Sequence, residues 1–318
     1  LQRTGINPWQ DMRSMLVLRK ILANIQPDVV LGYTIKPVIW GTLAAWLAHV
    51  PRRVVLIEGL GFVFTDSGSS IPVKRRLLRG VVSWLYRFAL ARAHRVLMLN
   101  PDDIRDFVAR GLVPMEKTLN LGGIGVDLAE WPVAPLPCGP MIFCLAARLL
   151  REKGVYEYIE AARIVKARHP GTRFLLLGST DENPGSLQAA QVEQWVREGL
   201  VEWPGHVPMR DWLTQSSVFV LPSYREGVPR STQEAMAMGR PIITTDVPGC
   251  RETVVDGING IIVPPRNAAA LAVAMEKLIL NPGLLIGMGT ASRSMAEEKF
   301  DVHHINAVIL RELRGQAA

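Results

Sequence analysis

The feature that most limits the fold of this chain is an alternation. Short apolar runs rich in β-branched residues are joined by stretches with helical spacing. DVVLGY (28–33), RRVVLIEG (52–59), AHRVLMLN (93–100) and KTLNLGG (117–123) read as buried strands, because they are apolar throughout rather than at every second residue. Helical patterns cover Pro37–Ala48, Val73–Ala91 and Pro101–Ala109. Asn100-Pro101-Asp102-Asp103 opens the last of these with a capping side chain, a proline at the first helical position and acids in the first turn. Strands joined by helices pair in parallel.

The alternation breaks once, at WPVAPLPCGP (131–140). Four prolines in ten residues hold neither a helix nor a central strand, so this stretch reads as a linker. The pattern then restarts. MIFCLAA (141–147), RFLLLGS (173–179), SVFVLP (217–222), Pro241–Thr245 and GIIVPP (260–265) read as strands. Gly154–Arg168, Gln188–Glu198, Ser231–Met238, Ala268–Leu280 and Leu284–Phe300 read as helices. The expected class is α/β, with two Rossmann-like doubly wound domains facing a cleft. The first spans 1–133 and the second 134–300, and 301–318 forms a C-terminal helix crossing back to the first. A proline-rich hinge would leave the carboxyl ends of the two sheets around the cleft, where folds of this kind bind ligands.

Composition narrows the function. At 48% apolar residues the chain has material for real cores. Cys138, Cys144 and Cys250 lack C-x-x-C spacing and are too few for a disulfide framework or a zinc site, which points to the reducing cytosol. No run reaches the ~18–20 apolar residues of a membrane span, and no signal peptide is evident. The charge is uneven. Residues 1–133 carry 17 Lys and Arg against 10 Asp and Glu, and residues 134–318 carry 19 of each, so the whole excess of +7 lies in the first part. A basic half serves nucleic acid, an anionic membrane or a phosphorylated substrate. No nucleic-acid-binding motif is present, so nucleic acid is not an expected partner.

The chemistry concentrates in PSYREGVPRSTQEAMAMG (222–239). A strand ends, a polar loop follows and a helix begins near Ser231. Backbone amides and the helix N-terminus form an anion site, reinforced by Arg225 and Arg230. Seven residues separate Glu226 from Glu234. Ser231-Thr232-Gln233-Glu234 also fits a capping box, in which Glu234 reaches back to the Ser231 amide. Glu226 needs a partner beside a phosphate site, and a sugar hydroxyl is one.

REGVPRSTQEAMAMGRPIITTDVPG (225–249) resembles the signature of the family 4 retaining glycosyltransferases, which have the GT-B fold. Its E-x7-E motif matches Glu226 and Glu234. The resemblance implies that Glu226 meets hydroxyls of the donor sugar and Glu234 the ribose of the nucleotide. The loop of Gly227, Val228, Pro229 and Arg230, running into Ser231, then offers backbone amides to the diphosphate. LAARLLREKGVYEYIEAA (145–162) is similar to a second family segment, and implies that Arg148 and Lys153 touch the same diphosphate. The alternative is two solvated cations, but cations at a helix start oppose its dipole. WPGHVP (203–208) resembles the loop that holds the nucleobase, around His206 and Val207, though a histidine there also suits a structural role. DGINGIIVPPRN (256–267) matches as well.

In the first part, YTIKPVIWGTLAAWLAHVPRRVVLIEGLGFVF (33–64) is similar to bacterial enzymes that extend undecaprenyl-diphosphate-linked saccharides, the bacillosamine-extending N-acetylgalactosaminyltransferases among them. Many members carry a His where this chain has Glu58, implying either a sugar contact or a strand-end acid facing solvent. Members begin with a strand, a Gly-rich loop and a further helix and strand, roughly 50–70 residues. The chain opens instead at Leu1 with LQRTGINPWQD, so the first domain is expected to be incomplete.

The resemblance implies transfer of a hexose or N-acetylhexosamine from a UDP-sugar to a polyprenyl-diphosphate-linked saccharide. It implies no metal, since no D-x-D motif is present and fixed cations take the ion's place. The alternative is a nucleotide-sugar-binding protein without transferase activity. Residues 71–95 interleave Lys74, Arg75, Arg76, Arg79, Arg87, Arg92 and Arg95 with an apolar stripe that includes Trp84. Such a helix reads as binding an anionic membrane surface, peripheral at the inner face of the plasma membrane, or as a core-packed helix with a cationic outer face.

Overall fold

The computed structural model describes residues 8–59, 73–180 and 185–315. These form two compact units, one of the described residues up to 122 together with 304–315, and one of those between 123 and 303. The segment 60–64 of the resemblance and the side chains of 73–79, with Lys74, Arg75, Arg76 and Arg79, lie outside the described residues.

The first unit contains α1 (Pro8–Ile25), β1 (Val29–Tyr33), α2 (Thr42–Leu47), β2 (Arg52–Ile57), α3 (Val73–Leu90), β3 (Arg95–Met98), α4 (Pro101–Ala109) and β4 (Thr118–Asn120). Its strands are parallel and lie in the order β1-β2-β3-β4. Val55, Ile57, Val96 and Met98 form a buried core with Tyr86, Leu90 and Phe107 from the covering helices. The Asn100 side chain accepts from the Asp103 amide at 2.8 Å, so the local cap signal sets the start of α4. Nothing in the sequence reading anticipated α1. Trp9, Leu16, Val17, Ile21 and Ile25 on it are exposed, so its apolar spacing is weakly tied to burial.

The second unit contains β5 (Ile142–Ala146), α5 (Val155–Arg168), β6 (Arg173–Leu177), α6 (Ala189–Arg197), β7 (Glu202–Gly205), α7 (Met209–Thr214), β8 (Val218–Leu221), α8 (Arg230–Ala237), β9 (Ile242–Thr245), β10 (Gly260–Val263), α9 (Ala268–Leu280) and α10 (Leu284–Lys299). All six strands are parallel, in the order β10-β9-β8-β5-β6-β7. The chain lays β5, β6 and β7 outward in one direction, then returns to place β8 on the other side of β5. Strand order therefore reverses between β5 and β8. In an open parallel sheet the loops diverge at such a point and leave a crevice at the carboxyl ends of the strands. Every residue of β5 and β8 is buried, as their unbroken apolar character requires. The loop WPGHVP thus begins as the edge strand β7.

The proline-rich stretch runs along the second unit. Ala134 N–H donates to the Met238 carbonyl, Arg293 to the Trp131 carbonyl and Arg240 to the Pro135 carbonyl. Prolines have no amide to donate, so the stretch is held mainly through its carbonyls. The chain divides between the units earlier, at Gly122–Gly123. A final helix, α11 (Val302–Arg314), is counted from His304 with the first unit. There its buried Glu312 accepts from Arg95 at 3.0 Å, and its Glu312 carbonyl from Arg52 at 2.6 Å.

Candidate functional site

The loop after β5 and the loop after β8 meet at the strand-order reversal. The first contains exposed Arg148, a turn of 3-10 helix at Arg151–Lys153, and Gly154, whose φ of 71° lets the chain enter α5. A Cβ on Gly154 would lie 2.1 Å from the Pro222 carbonyl oxygen, so only glycine allows this approach. The same constraint recurs in the loop after β9. Gly249 has φ 79°, and a Cβ there would lie 2.2 Å from the Gly227 carbonyl oxygen and 2.4 Å from that of Glu226. The Tyr224 amide donates to the Glu152 carbonyl at 2.9 Å and the Glu226 amide to the Pro248 carbonyl at 3.1 Å. Three strand-end loops are thereby fastened backbone to backbone.

This framework sets the charges. Lys153 Nζ lies 2.5 Å from Glu226 Oε1, with both side chains largely buried, and Ser223 Oγ donates to the same oxygen at 2.7 Å. The partner that Glu226 requires is thus Lys153, which the sequence had assigned to a phosphate. Beneath lies Cys250, fully buried, its thiol pushed up to about 12 mainly by burial and further by the Glu226 charge. It remains a neutral thiol and is no nucleophile.

Glu234 corrects a second expectation. α8 begins at Arg230 with Pro229 as its N-cap, and no side chain caps it. Ser231 is already inside the helix, so the capping box does not form. Glu234 Oε1 instead accepts from Arg230 Nε at 2.9 Å, one helical turn back. Burial raises the Glu234 carboxyl above its usual range, against the opposing pull of Arg230. The uncapped first turn leaves its amides to solvent or an anion. Val228 and Pro229, buried, hold this turn in place through their carbonyls, which accept from the Gln233 side chain at 3.2 and 3.5 Å.

His206 is exposed and Val207 half-buried just beyond β7, at the same edge of the sheet. The Gly205 carbonyl accepts from the Gly178 amide at 2.8 Å, and the Trp203 indole donates to the Gly178 carbonyl, so the ends of β6 and β7 are tied together. Glu58 is exposed directly after β2 in the first unit. The structure therefore gathers Arg148, Lys153, Glu226 to Ser231 and Glu234 on adjoining loops and the first turns of α8 in the second unit, while Glu58 belongs to the first unit. The sequence reading passed over Ser223, Tyr224, Gly154 and Gly249. Ser223 and Tyr224 lie inside the quoted motif, but their spacing carries no signal of a contact with another segment.

Two parallel-sheet α/β units, one with a strand-order reversal at which its loops meet, are the plan of the GT-B fold. Comparison with known proteins agrees. Residues 140–281 match the family "Glycosyl transferases group 1" and residues 3–100 the family "Glycosyl transferase 4-like". Each part of the chain thus matches a glycosyltransferase family model, and the chain is a glycosyltransferase. It is 29% identical over 301 residues to the N,N'-diacetylbacillosaminyl-diphospho-undecaprenol alpha-1,3-N-acetylgalactosaminyltransferase of Campylobacter jejuni, covering 90% of this chain and 77% of that one. It is 26% identical over 274 residues to the UDP-Gal:alpha-D-GlcNAc-diphosphoundecaprenol alpha-1,3-galactosyltransferase of Escherichia coli, covering 81% and 68%. Among solved structures, sucrose-phosphate synthase from Thermosynechococcus elongatus superposes with a TM-score of 0.79 at 21% identity, covering 99% of this chain and 82% of that one. Anabaena HepE in complex with UDP-glucose superposes with a TM-score of 0.78 at 18% identity, covering 95% and 82%.

Proposed function

We propose that this protein transfers a hexose or N-acetylhexosamine from a UDP-sugar to a polyprenyl-diphosphate-linked saccharide, with retention at the anomeric carbon. The observation that carries the reading is the Lys153–Glu226 pair beside the uncapped first turn of α8, at the strand-order reversal. A diphosphate entering there meets Arg148, Lys153 and the backbone amides of Gly227, Val228, Arg230 and Ser231. As it leaves the sugar its charge grows, and these groups stabilise that charge more in the transition state than in the bound donor. Lys153 is shared on donor binding: its contact with the phosphate frees Glu226 to accept from sugar hydroxyls. Glu234 faces the ribose. Fixed cations do the work of a metal ion. The acceptor oxygen attacks from the face the diphosphate leaves, and the departing phosphate takes its proton.

The acceptor class is supported by the two undecaprenyl-linked relatives and by the first unit's surface. Trp84 stacks on Phe88 with centroids 5.7 Å apart, Phe88 meets Trp46 edge-on at 6.5 Å, and the Arg92 guanidinium lies 3.5 Å from the Phe88 centroid. All three rings are exposed, Trp84 by 63%. Exposed indoles beside cations suit the head-group layer of an anionic bilayer, where a polyprenyl diphosphate presents its head. Among the described residues no single helix is long and apolar enough to cross a membrane. The test is calorimetry with UDP and with UDP-N-acetylgalactosamine in chelator, followed by a transfer assay to a polyprenyl-diphosphate saccharide. Binding and transfer without added metal are expected. Binding with no transfer to any acceptor favours the binding-protein alternative, and a strict requirement for Mg or Mn rejects the metal-free mechanism.

A further inference from the structure

Tyr224 stands between Ser223 and Glu226 on the loop after β8, yet its side chain turns away from both. Its hydroxyl donates to Glu157 Oε1 on α5 at 2.7 Å. The other carboxylate oxygen, Oε2, is buried and has no partner among the described residues, so the bond from Tyr224 to Oε1 matters for this carboxylate. From the loop after β10, the Arg266 guanidinium lies 4.6 Å from the Tyr224 ring centroid. Arg266 has φ 59°, a left-handed conformation that costs a non-glycine residue free energy and persists where surrounding contacts hold it. Burial and the Glu157 carboxylate push the Tyr224 hydroxyl up to about 12, so it keeps its proton as a donor at neutral pH.

We propose that Tyr224, Glu157 and Arg266 form a clamp that positions the loop carrying Glu226, making Tyr224 and Glu157 positioning residues for recognition of the donor sugar. The proposal rests on the donor reading above. The loop's other anchors include the two backbone bonds to Glu152 and Pro248, the Thr245 hydroxyl bond to the Ser223 carbonyl and the Lys153–Glu226 pair. If donor phosphate shares Lys153, that pair loosens just when Glu226 must face the sugar. The clamp is independent of Lys153 and keeps the carboxylate placed at that moment, so less loop entropy is lost on binding. A purely local role for Glu157 is also available, because an acid in the first turn of α5 complements the helix dipole.

Two variants separate these roles. Tyr224→Phe removes only the hydroxyl. Glu157→Gln keeps a carbonyl oxygen that accepts from Tyr224 but loses the charge. Amide hydrogen exchange is measured first, without ligand. Tyr224→Phe is expected to speed exchange across 222–229 by about tenfold, the scale of one hydrogen bond to a carboxylate, and Glu157→Gln to stay near wild type. Calorimetry should then find UDP-N-acetylgalactosamine bound about tenfold more weakly by Tyr224→Phe, with UDP affected much less, since UDP has no sugar for Glu226 to meet. Arg266→Gly relieves the strained backbone, so faster exchange of the same segment at unchanged thermal stability supports the stacking half of the clamp. Unchanged exchange in Tyr224→Phe overturns the proposal. So does a Glu157→Gln variant that is damaged while Tyr224→Phe is silent, the result a dipole role requires. If the wild type bound neither probe the donor reading would fail, and the exchange result would still decide the clamp.

Discussion

The carboxyl ends of the two sheets are built differently. In the second unit, the loops after β5, β8 and β9 approach so closely that Gly154 and Gly249 cannot carry a side chain, and they enclose a largely buried Lys153–Glu226 pair. In the first unit, the described strands run β1-β2-β3-β4 without reversal, and the residue after β2 is an exposed Glu58. Its distinctive side chains lie on the helices, as the Trp46, Trp84 and Phe88 patch. Both units share a layer plan, and each pairs a cation that follows a strand with a carboxylate, Lys36 with Asp11 of α1 in the first and Lys153 with Glu226 in the second, but in the second both partners come from strand-end loops that meet at the reversal. A reversal separates adjacent loops, and the resulting crevice is what side chains of opposite sign can line.

The contrast can be broken most severely at Gly249. Gly249→Ala should cost about 2–4 kcal/mol of stability and abolish UDP binding, because the new Cβ meets backbone atoms that cannot yield. Gly257→Ala is the control: it shares the left-handed conformation, with φ 75°, but has open space around it, and should cost only about 1 kcal/mol. Thermal and denaturant unfolding of the pair, with UDP titration, reads the difference.

Lys153→Ala should weaken UDP binding by about 1.5–3 kcal/mol, the usual range for a hydrogen bond to a charged group. Calorimetry checks it, and wild-type affinity would remove Lys153 from the site. On the first unit, Trp84→Ser with Phe88→Ser should reduce co-sedimentation with anionic vesicles about tenfold and leave UDP affinity intact. A fall in UDP affinity instead would mean that the patch serves the fold. The wild type should release from such vesicles at high salt, since the basic excess acts within a Debye length of ~8 Å.

The smallest effect is expected at Glu234. Its carboxyl is raised by burial, so the folded protein holds that proton more tightly than the unfolded chain does. Stability therefore falls as the pH rises from the ordinary carboxylate range through the raised value. Glu234→Gln should flatten that slope and leave the thermal midpoint at neutral pH equal or slightly higher. A ribose contact predicts a concurrent loss of UDP affinity of about three- to tenfold. Equal affinity would leave Glu234 as a partner of Arg230 alone.

Features decided within a few residues were legible in the sequence. α4 and α9 run over the residues their patterns indicated, because Asn100 and Asn267 cap them with their own side chains. The parallel strands were legible for a similar reason, since burial on both faces demands unbroken apolar runs. The start of α8 was misplaced by one residue, and that shift removed the capping box and turned Glu234 toward Arg230. Local spacing could not distinguish a helix capped by Ser231 from one that begins behind a proline.

What the sequence determined by itself was the class of fold, the resemblance to glycosyltransferases and the short segments that proved to meet at the strand-order reversal, because these are written in periodicity and in motifs a few residues long. Tertiary structure alone decided which charges meet. Lys153 and Glu226 are 73 residues apart in the chain, and Tyr224 and Glu157 are 67 apart. Nothing local draws either pair together. Their contact follows from β8 returning to lie beside β5, and strand order is a global outcome of packing all the helices onto both faces of one sheet.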